Sequence, residues 1–450
     1  MKKFNKNFMV VILIIAAVTS GCTNSGTGSL SETDEKEMKM YVESWDQRIP
    51  SALNEFNTGS PVKISPIWLS DEKDYEQYRQ KITASILSGD GPDIILDKPS
   101  RIPGLWKIVE NNAFYDLDIL IKEDKEFNLS DYNKSILDCG IINGKRYLMP
   151  LYFSLPLIWS PKSTLANNQL KYNLNPTWDY MKELAESCGE QKKYLIGGSF
   201  SFTSLIKNYW PVFIDLVNKR VNFDSPEFIR LLEVYRQICP AICPDEELKP
   251  PDFWYRLFRD GQLYFFNGQS LVSLNNLWEE NSAVRNFFDS EICIFSYPAI
   301  EGQQGITAEA CEFVGINQTT DFKNEAFKFI KLLMSEKYQN YGAGVNTFWA
   351  PINKKAYEQI KKECTGKEAS GKRMSYYLAD GQKEYISVAI PEELIKKMDS
   401  YIDSISECIF IDTNILDFID QEVQAYIAGK QDARQTAKAI DNKVRLYMDE

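Results

Sequence analysis

The chain has no histidine. That removes the commonest general base, the Ser-His and Cys-His nucleophile pairs and the mixed histidine–cysteine zinc sites. Carboxylate chemistry is untouched. No glycine-rich loop ends in Gly-Lys-Ser or Gly-Lys-Thr, so the usual phosphate cradle is missing. Basic charge is in short supply, with 51 Lys and Arg against 63 Asp and Glu and a net charge of −12. An acidic surface repels a phosphate backbone, which excludes nucleic acid as a partner. Beyond the N-terminus no stretch is long and apolar enough to cross a membrane. There is no internal repeat and no cofactor motif. Eight cysteines follow Cys22, and only Cys239 and Cys243 are close in sequence. An even number permits disulfides outside the cytoplasm. In 450 residues with 44% hydrophobic content, buried free thiols are the expectation.

What is present begins with an address. Lys2, Lys3 and Lys6 precede the apolar run Phe8 to Val18, and Thr19-Ser20-Gly21-Cys22 follows. The run is too short to span a bilayer and has the layout of a secretory signal. Cysteine directly after small residues resembles the bacterial lipobox, which implies cleavage before Cys22, lipidation of its thiol and a membrane anchor. Thr19 departs from the aliphatic residue usual there. Thr23 to Thr33 reads as a flexible tether. The expected layout is a signal peptide over 1–21, then the lipidated cysteine and tether over 22–37.

From Lys39 the pattern is α/β. Lys39 to Ser44 alternates as a strand, Ile49 to Phe56 reads as a short helix, and Val62 to Leu69 is a strand broken or held at an edge by Pro66. Tyr75, Tyr78, Ile82, Ile86 and Leu87 recur at helical spacing. Gly89 suits the helix stop, and Ile94 to Leu96 is the apolar run of a doubly covered strand. This is a β-α-β-α-β unit of a parallel sheet. Further landmarks are the turn Asn143-Gly144 with a strand through Trp159, and the helix start Asn175-Pro176-Thr177-Trp178-Asp179. Asp224-Ser225-Pro226-Glu227 starts another helix. Asn267-Gly268 reads as a turn leading into a strand that ends at Trp278. Ile292 to Tyr297 is a strand, Asp321 to Met334 a helix, and Phe348 to Pro351 a tight loop. Two helices separated by Gly429 close the chain.

The string Gly89-Asp90-Gly91-Pro92-Asp93, followed in order by Asn143-Gly144-Lys145…Pro150, Pro176-Thr177-Trp178-Asp179, Gly268…Trp278 and the Gly429 element, resembles the extracellular solute-binding protein family 1. Those are sugar-binding lipoproteins of ABC importers. The resemblance runs from about Lys39 to Tyr447. It implies the two-lobe, type II periplasmic-binding-protein-like fold, with discontinuous lobes and a ligand cleft at the hinge. One lobe is expected from 38–150 plus 308–344, the other from 151–305 plus 345–450. The implied activity is capture of a carbohydrate, an oligosaccharide above all, by a monomer that is no enzyme. Delivery to ABC permease subunits follows, from the membrane-anchored face of the cell.

Ligands in open α/β sheets sit beyond the carboxyl ends of the strands. Those ends carry Trp45, Asp46 and Arg48, then Asp97, Ser100 and Arg101. The resemblance carries over Arg101 as the cleft arginine, whereas Asp97 and Ser100 replace an aromatic and an acid. Ser154 stands where a glutamate is expected, beside the aromatics Tyr152 and Phe153. These departures argue against maltose. Trp278 matches the family's stacking tryptophan and Trp349 a ligand-touching loop. Tyr209 and Trp210 are weaker candidates. Trp178 is read as packing at a helix start, and Asp93 as tying a loop to backbone N–H groups. The other readings are a surface glycoside hydrolase with Asp46 and Asp97 as its carboxylates, a receptor for a peptide or polyamine, and a module that signals to a sensor protein.

Overall fold

The computed structural model describes residues 36–43, 48–69, 72–170, 176–244, 253–340, 349–378 and 381–449. Trp45, Asp46 and Cys22 fall outside them. The first unit is the one the sequence implies. Strands β1 (Glu37–Glu43), β2 (Lys63–Leu69) and β3 (Ile94–Asp97) lie parallel in the order β2-β1-β3. Helices Arg48–Gly59 and Glu72–Ser88 connect them. Gly89 ends the second helix with φ +79°. Pro66, which cannot donate to a ladder, sits in β2 at the sheet edge.

Both faces of this sheet are covered, which is why β3 is apolar throughout. Ile94 and Leu96 pack with Ala52, Phe56 and Phe329 on one side. Ile95, pointing the other way, packs with Ile82, Ile86 and Leu105. Phe56 and Phe329 meet edge to face at 5.4 Å. Burying side chains of this size contributes about 1.5–3 kcal/mol each.

The apolar stretch after Met149 is not one strand. Leu155-Pro156 divides it into β4 (Met149–Ser154) and β5 (Leu157–Pro161). Strand β5 joins β6 (Tyr194–Gly197), β7 (Leu263–Asn267) and β8 (Ile292–Ser296) in a second sheet of order β8-β5-β7-β6. Strand β9 (Ile306–Ile316) then returns to the first sheet and inserts antiparallel between β3 and β4. Strands β10 (Ala350–Pro351) and β11 (Ile405–Ile409) complete seven strands there. The expected break at 150/151 therefore falls inside β4, and β10 and β11 pair with the first sheet rather than the second. Thr177 caps helix Trp178–Gln191 by accepting from Tyr180 N at 3.2 Å, and Ser225 caps Pro226–Ile238. These two helices pack around the second sheet with Thr413–Ile427 and Ala433–Asp449. No described helix is long and apolar enough to cross a membrane.

One expectation is corrected. The segment after Gly268 is a 3-10 turn, Gln269–Val272, followed by helix Leu274–Phe288, not a strand. Leu274, Leu277, Trp278, Asn281 and Val284 recur at helical spacing and are all buried.

Gly140 closes the 3-10 turn Asp138–Gly140, and a Cβ there would stand 1.8 Å from the Leu148 carbonyl oxygen. Backbone cannot yield as a flexible side chain does. Gly140→Ala is expected to lower the unfolding free energy by about 1–3 kcal/mol, read from a urea titration.

Candidate functional site

The strand registers determine where ligand-facing groups can gather. Phe313 of β9 lies opposite Asp97, the last residue of β3, so 306–312 run on past the end of β3. Strand β4 is antiparallel to β9 with Glu309 opposite Ser154, so its end points the same way. In the second sheet β6, β7 and β8 all run opposite to β5. Their carboxyl ends therefore lie at the Leu157 end of β5, immediately after Pro156. The carboxyl ends of both sheets thus converge on the crossings 155–156 and 297–305. Hydrogen bonds fasten this seam, with Gly268 N donating to Leu157 O at 2.8 Å and Tyr297 N to Pro156 O at 3.0 Å.

On the first sheet's side, Arg48 opens its helix almost fully buried. Its guanidinium lies 4.0 Å over the Tyr152 ring, and Nη2 donates to Glu312 Oε2 at 3.4 Å. Glu312 sits where the β9–β4 register slips on either side of it. Such bulges re-aim side chains next to sites. Asp97 is only 1% exposed. It accepts from Lys98 N at 2.8 Å, and Arg101 Nη1 stands 4.0 Å from it. Lys98 Nζ lies 5.0 Å over the half-buried Trp349 ring. Trp349 leads into β10, whose Ala350 and Pro351 pair with Phe153 and Tyr152. Gln339, unremarked in the sequence, holds this corner. Its amide donates to Leu151 O at 3.0 Å and accepts from Ile352 N and Asn353 N.

The two sides meet at an ion pair. Lys207, ending helix Phe202–Lys207 in the second sheet's core, donates to Glu309 Oε1 of β9 at 2.8 Å. Burial opposes the charge on Lys207, but the Glu309 carboxylate outweighs it and holds the ammonium pKa above its ordinary value. Ser154 is buried opposite Glu309, and Cys311 Sγ donates to the Glu309 carbonyl oxygen at 3.4 Å. The second sheet contributes the loops after β6 and β7. Asn267 Nδ2 donates to Gly198 O at 3.2 Å and places Ser199, Ser201, Gln269 and Ser270 at these ends. Sequence reasoning missed them. The signal was Asn267-Gly268 itself, which ends a strand rather than beginning one.

Arg48, Asp97, Arg101, Tyr152, Ser154 and Trp349 are thus brought to the strand ends. Trp278 is not among them. It is 6% exposed, its Nε1 donates to Ala369 O at 3.0 Å, and Lys372 lies over its ring. It is core because a helix, not a strand, carries it. Tyr209 and Trp210 are also core, with Tyr209 donating to Pro298 O at 2.6 Å. Trp178 packs against Tyr209, as a helix-start residue should. Asp93 accepts from Lys39 N at 2.7 Å and from the Thr320 hydroxyl, the structural tie its position implied. Asp97 sits between the Lys98 N–H and the Arg101 guanidinium. A carboxyl strongly altered by burial lies elsewhere, at Glu280 in helix Leu274–Phe288. Desolvation first, and the Glu279 charge second, push it up to about 8.

Residues 41–340 match the bacterial extracellular solute-binding protein family. Among solved structures, an ABC substrate-binding protein from Listeria monocytogenes in complex with cycloalternan is 16% identical, with a TM-score of 0.63 over 92% of this chain and all of that one. A cyclic alpha-maltosyl-1,6-maltose binding protein from Arthrobacter globiformis is 16% identical, with a TM-score of 0.59 over 92% and 98%. A periplasmic oligogalacturonide binding protein from Yersinia enterocolitica is 15% identical, with a TM-score of 0.62 over 92% and 99%. No curated protein matches the chain. At these identities the structures establish a shared type II binding-protein fold.

Two outcomes follow from the electrostatics. Lys207→Met leaves Glu309 without its cation and is expected to cost about 1–3 kcal/mol in denaturant unfolding. Glu280 holds its proton more tightly folded than unfolded, so its contribution is intact below pH 4.5 and is lost as pH rises towards about 8. Glu280→Gln should raise the thermal midpoint at pH 8 and leave it nearly unchanged at pH 4.5.

Proposed function

Since the chain belongs to the bacterial extracellular solute-binding protein family, we propose that it is a lipid-anchored receptor that captures an oligosaccharide between its two sheets and hands it to an ABC permease. The observation that carries this reading is the convergence of both sheets' carboxyl ends on one seam, edged by aromatics and charged groups. Sugar rings have apolar C–H faces that a flat aromatic buries, leaving the hydroxyl edge for polar partners. Trp349 and Tyr152 supply such faces on the first sheet. Arg48, Asp97, Arg101 and Ser154 supply polar partners, and the sequence adds Trp45 and Asp46 to the same strand end. The solute bridges the sheets and closes them, a hinge motion whose bound form the permease recognises. The related structures include one in complex with cycloalternan, a cyclic alpha-maltosyl-1,6-maltose binding protein, an oligogalacturonide binding protein and one bound with alpha-D-tagatose, which supports a carbohydrate as the solute. Cys22 is the proposed acylation point, with the permease subunits and the membrane as partners and a monomer as the working form.

Thermal unfolding against a panel of mono- and oligosaccharides tests the reading. A ligand in about hundredfold excess over its Kd stabilises by about 2.7 kcal/mol, a clear shift. Trp349→Ala should weaken the responding glycan at least about tenfold, whereas Trp278→Ala should lower the midpoint and leave its Kd unchanged. No shift with any glycan would overturn the sugar assignment and turn the search to peptides and polyamines. Mass spectrometry of the N-terminal peptide reads acylation at Cys22, and Cys22→Ser should release the protein from membranes.

A further inference from the structure

None of the eight cysteines after Cys22 is in a disulfide in the structure. Two of them nonetheless meet. Cys139 is the middle residue of the 3-10 turn Asp138–Gly140, which packs on β11. Cys408 lies in β11, opposite Ala308 of β9. Cys408 is buried in the main hydrophobic cluster, Cys139 packs against that cluster, and the Cys139 thiol is close enough to raise the pKa of Cys408.

The turn is held where it is by groups on both sides. Asp138 is gripped by Arg146, whose Nη2 donates to Oδ1 at 3.1 Å, and Arg146 Nη1 donates to Leu137 O. Gly140 packs directly on the Leu148 carbonyl. On the other side β11 is fixed by its ladder to β9. A disulfide needs its two Cβ atoms brought close in a settled backbone, and these restraints supply that.

We infer that Cys139 and Cys408 form a disulfide when the protein meets a disulfide-bearing oxidant outside the cytoplasm. The family is extracellular, and that is where such bonds form and persist. Cys139, the more exposed thiol, is reached first. Its thiolate attacks an oxidant RSSR, forming a Cys139 S–SR bond and releasing RS−, which takes up the proton that Cys139 lost. Cys408 then displaces the second RS− from Cys139, and its proton leaves with that thiol. Two protein thiols are oxidised to one disulfide, and RSSR is reduced to two RSH. Burial and the neighbouring Cys139 hold the Cys408 thiol well above its ordinary pKa, which makes it a poor first nucleophile; it completes the second step because the mixed disulfide on Cys139 is held beside it. The bond would staple the turn to the strand that runs beside Glu309 and Lys207.

Peptide mapping of the wild-type chain tests this directly. The protein is equilibrated in oxidised and reduced glutathione at a poise of about −200 mV, alkylated and digested. The expected result is a linked peptide pair carrying Cys139 and Cys408, an intact mass lower by about 2 Da than after reduction, and a thermal midpoint that falls on adding reductant. Cys139→Ser and Cys408→Ser should each abolish the linked pair, and Cys311→Ser should leave it. Full alkylation of Cys139 and Cys408 after oxidation, or linkage of Cys408 to Cys311 instead, would overturn the inference. Should either serine variant fail to fold, the wild-type map decides alone.

Discussion

The structure hangs on strand β9. It is the antiparallel member slipped between β3 and β4, and its early half pairs with β11 as well. Each neighbour it takes fixes one part of the site. Pairing with β3 sets Asp97 at the level of Phe313. Pairing with β4 sets Ser154 against Glu309. The slip at Glu312 turns that carboxylate towards Arg48. Remove the register of this strand and the charged groups lose their common level.

Electrostatics at the seam follow a single rule. Three cations are each set against an anion from a different element: Arg48 with Glu312, Arg101 with Asp97, Lys207 with Glu309. Charges taken from water cost several kcal/mol unless partnered. Holding them in pairs before any solute arrives leaves a polar, pre-organised surface without a strong net field. Such a surface suits a neutral, hydroxyl-rich solute better than an ion.

The first β-α-β-α-β unit was legible residue by residue, because alternating apolar residues and the Gly89 stop are local signals. The type II fold was legible only through the ordered motifs taken together. Less visible were events in which distant segments decide. Leu155-Pro156 parts two strands that periodicity joins. Strands β10 and β11 pair with partners about two hundred and one hundred residues away respectively. Of the candidate site, Arg48, Asp97 and Arg101 follow from the rule of strand ends, whereas Tyr152, Ser154 and Trp349 are reached only through the family resemblance. Trp278 misled because a tryptophan after Asn-Gly satisfies a motif whether a helix or a strand bears it. Gln339 gave no signal at all, since a buried amide bracing three backbone groups looks like any other glutamine in sequence.

The placement of β11 also governs how the chain can fold. The first sheet opens with residues 37–43 and closes with 405–409. Its last strand therefore reaches its partner only when nearly the whole polypeptide is present. Pairings of such long sequence separation carry a loop-closure cost before any contact repays it, and they slow folding. An N-terminal fragment holds β1 to β3 but neither β9 nor β11, so its sheet edge stays open. The architecture thus withholds its native state until the C-terminal part of the chain is present.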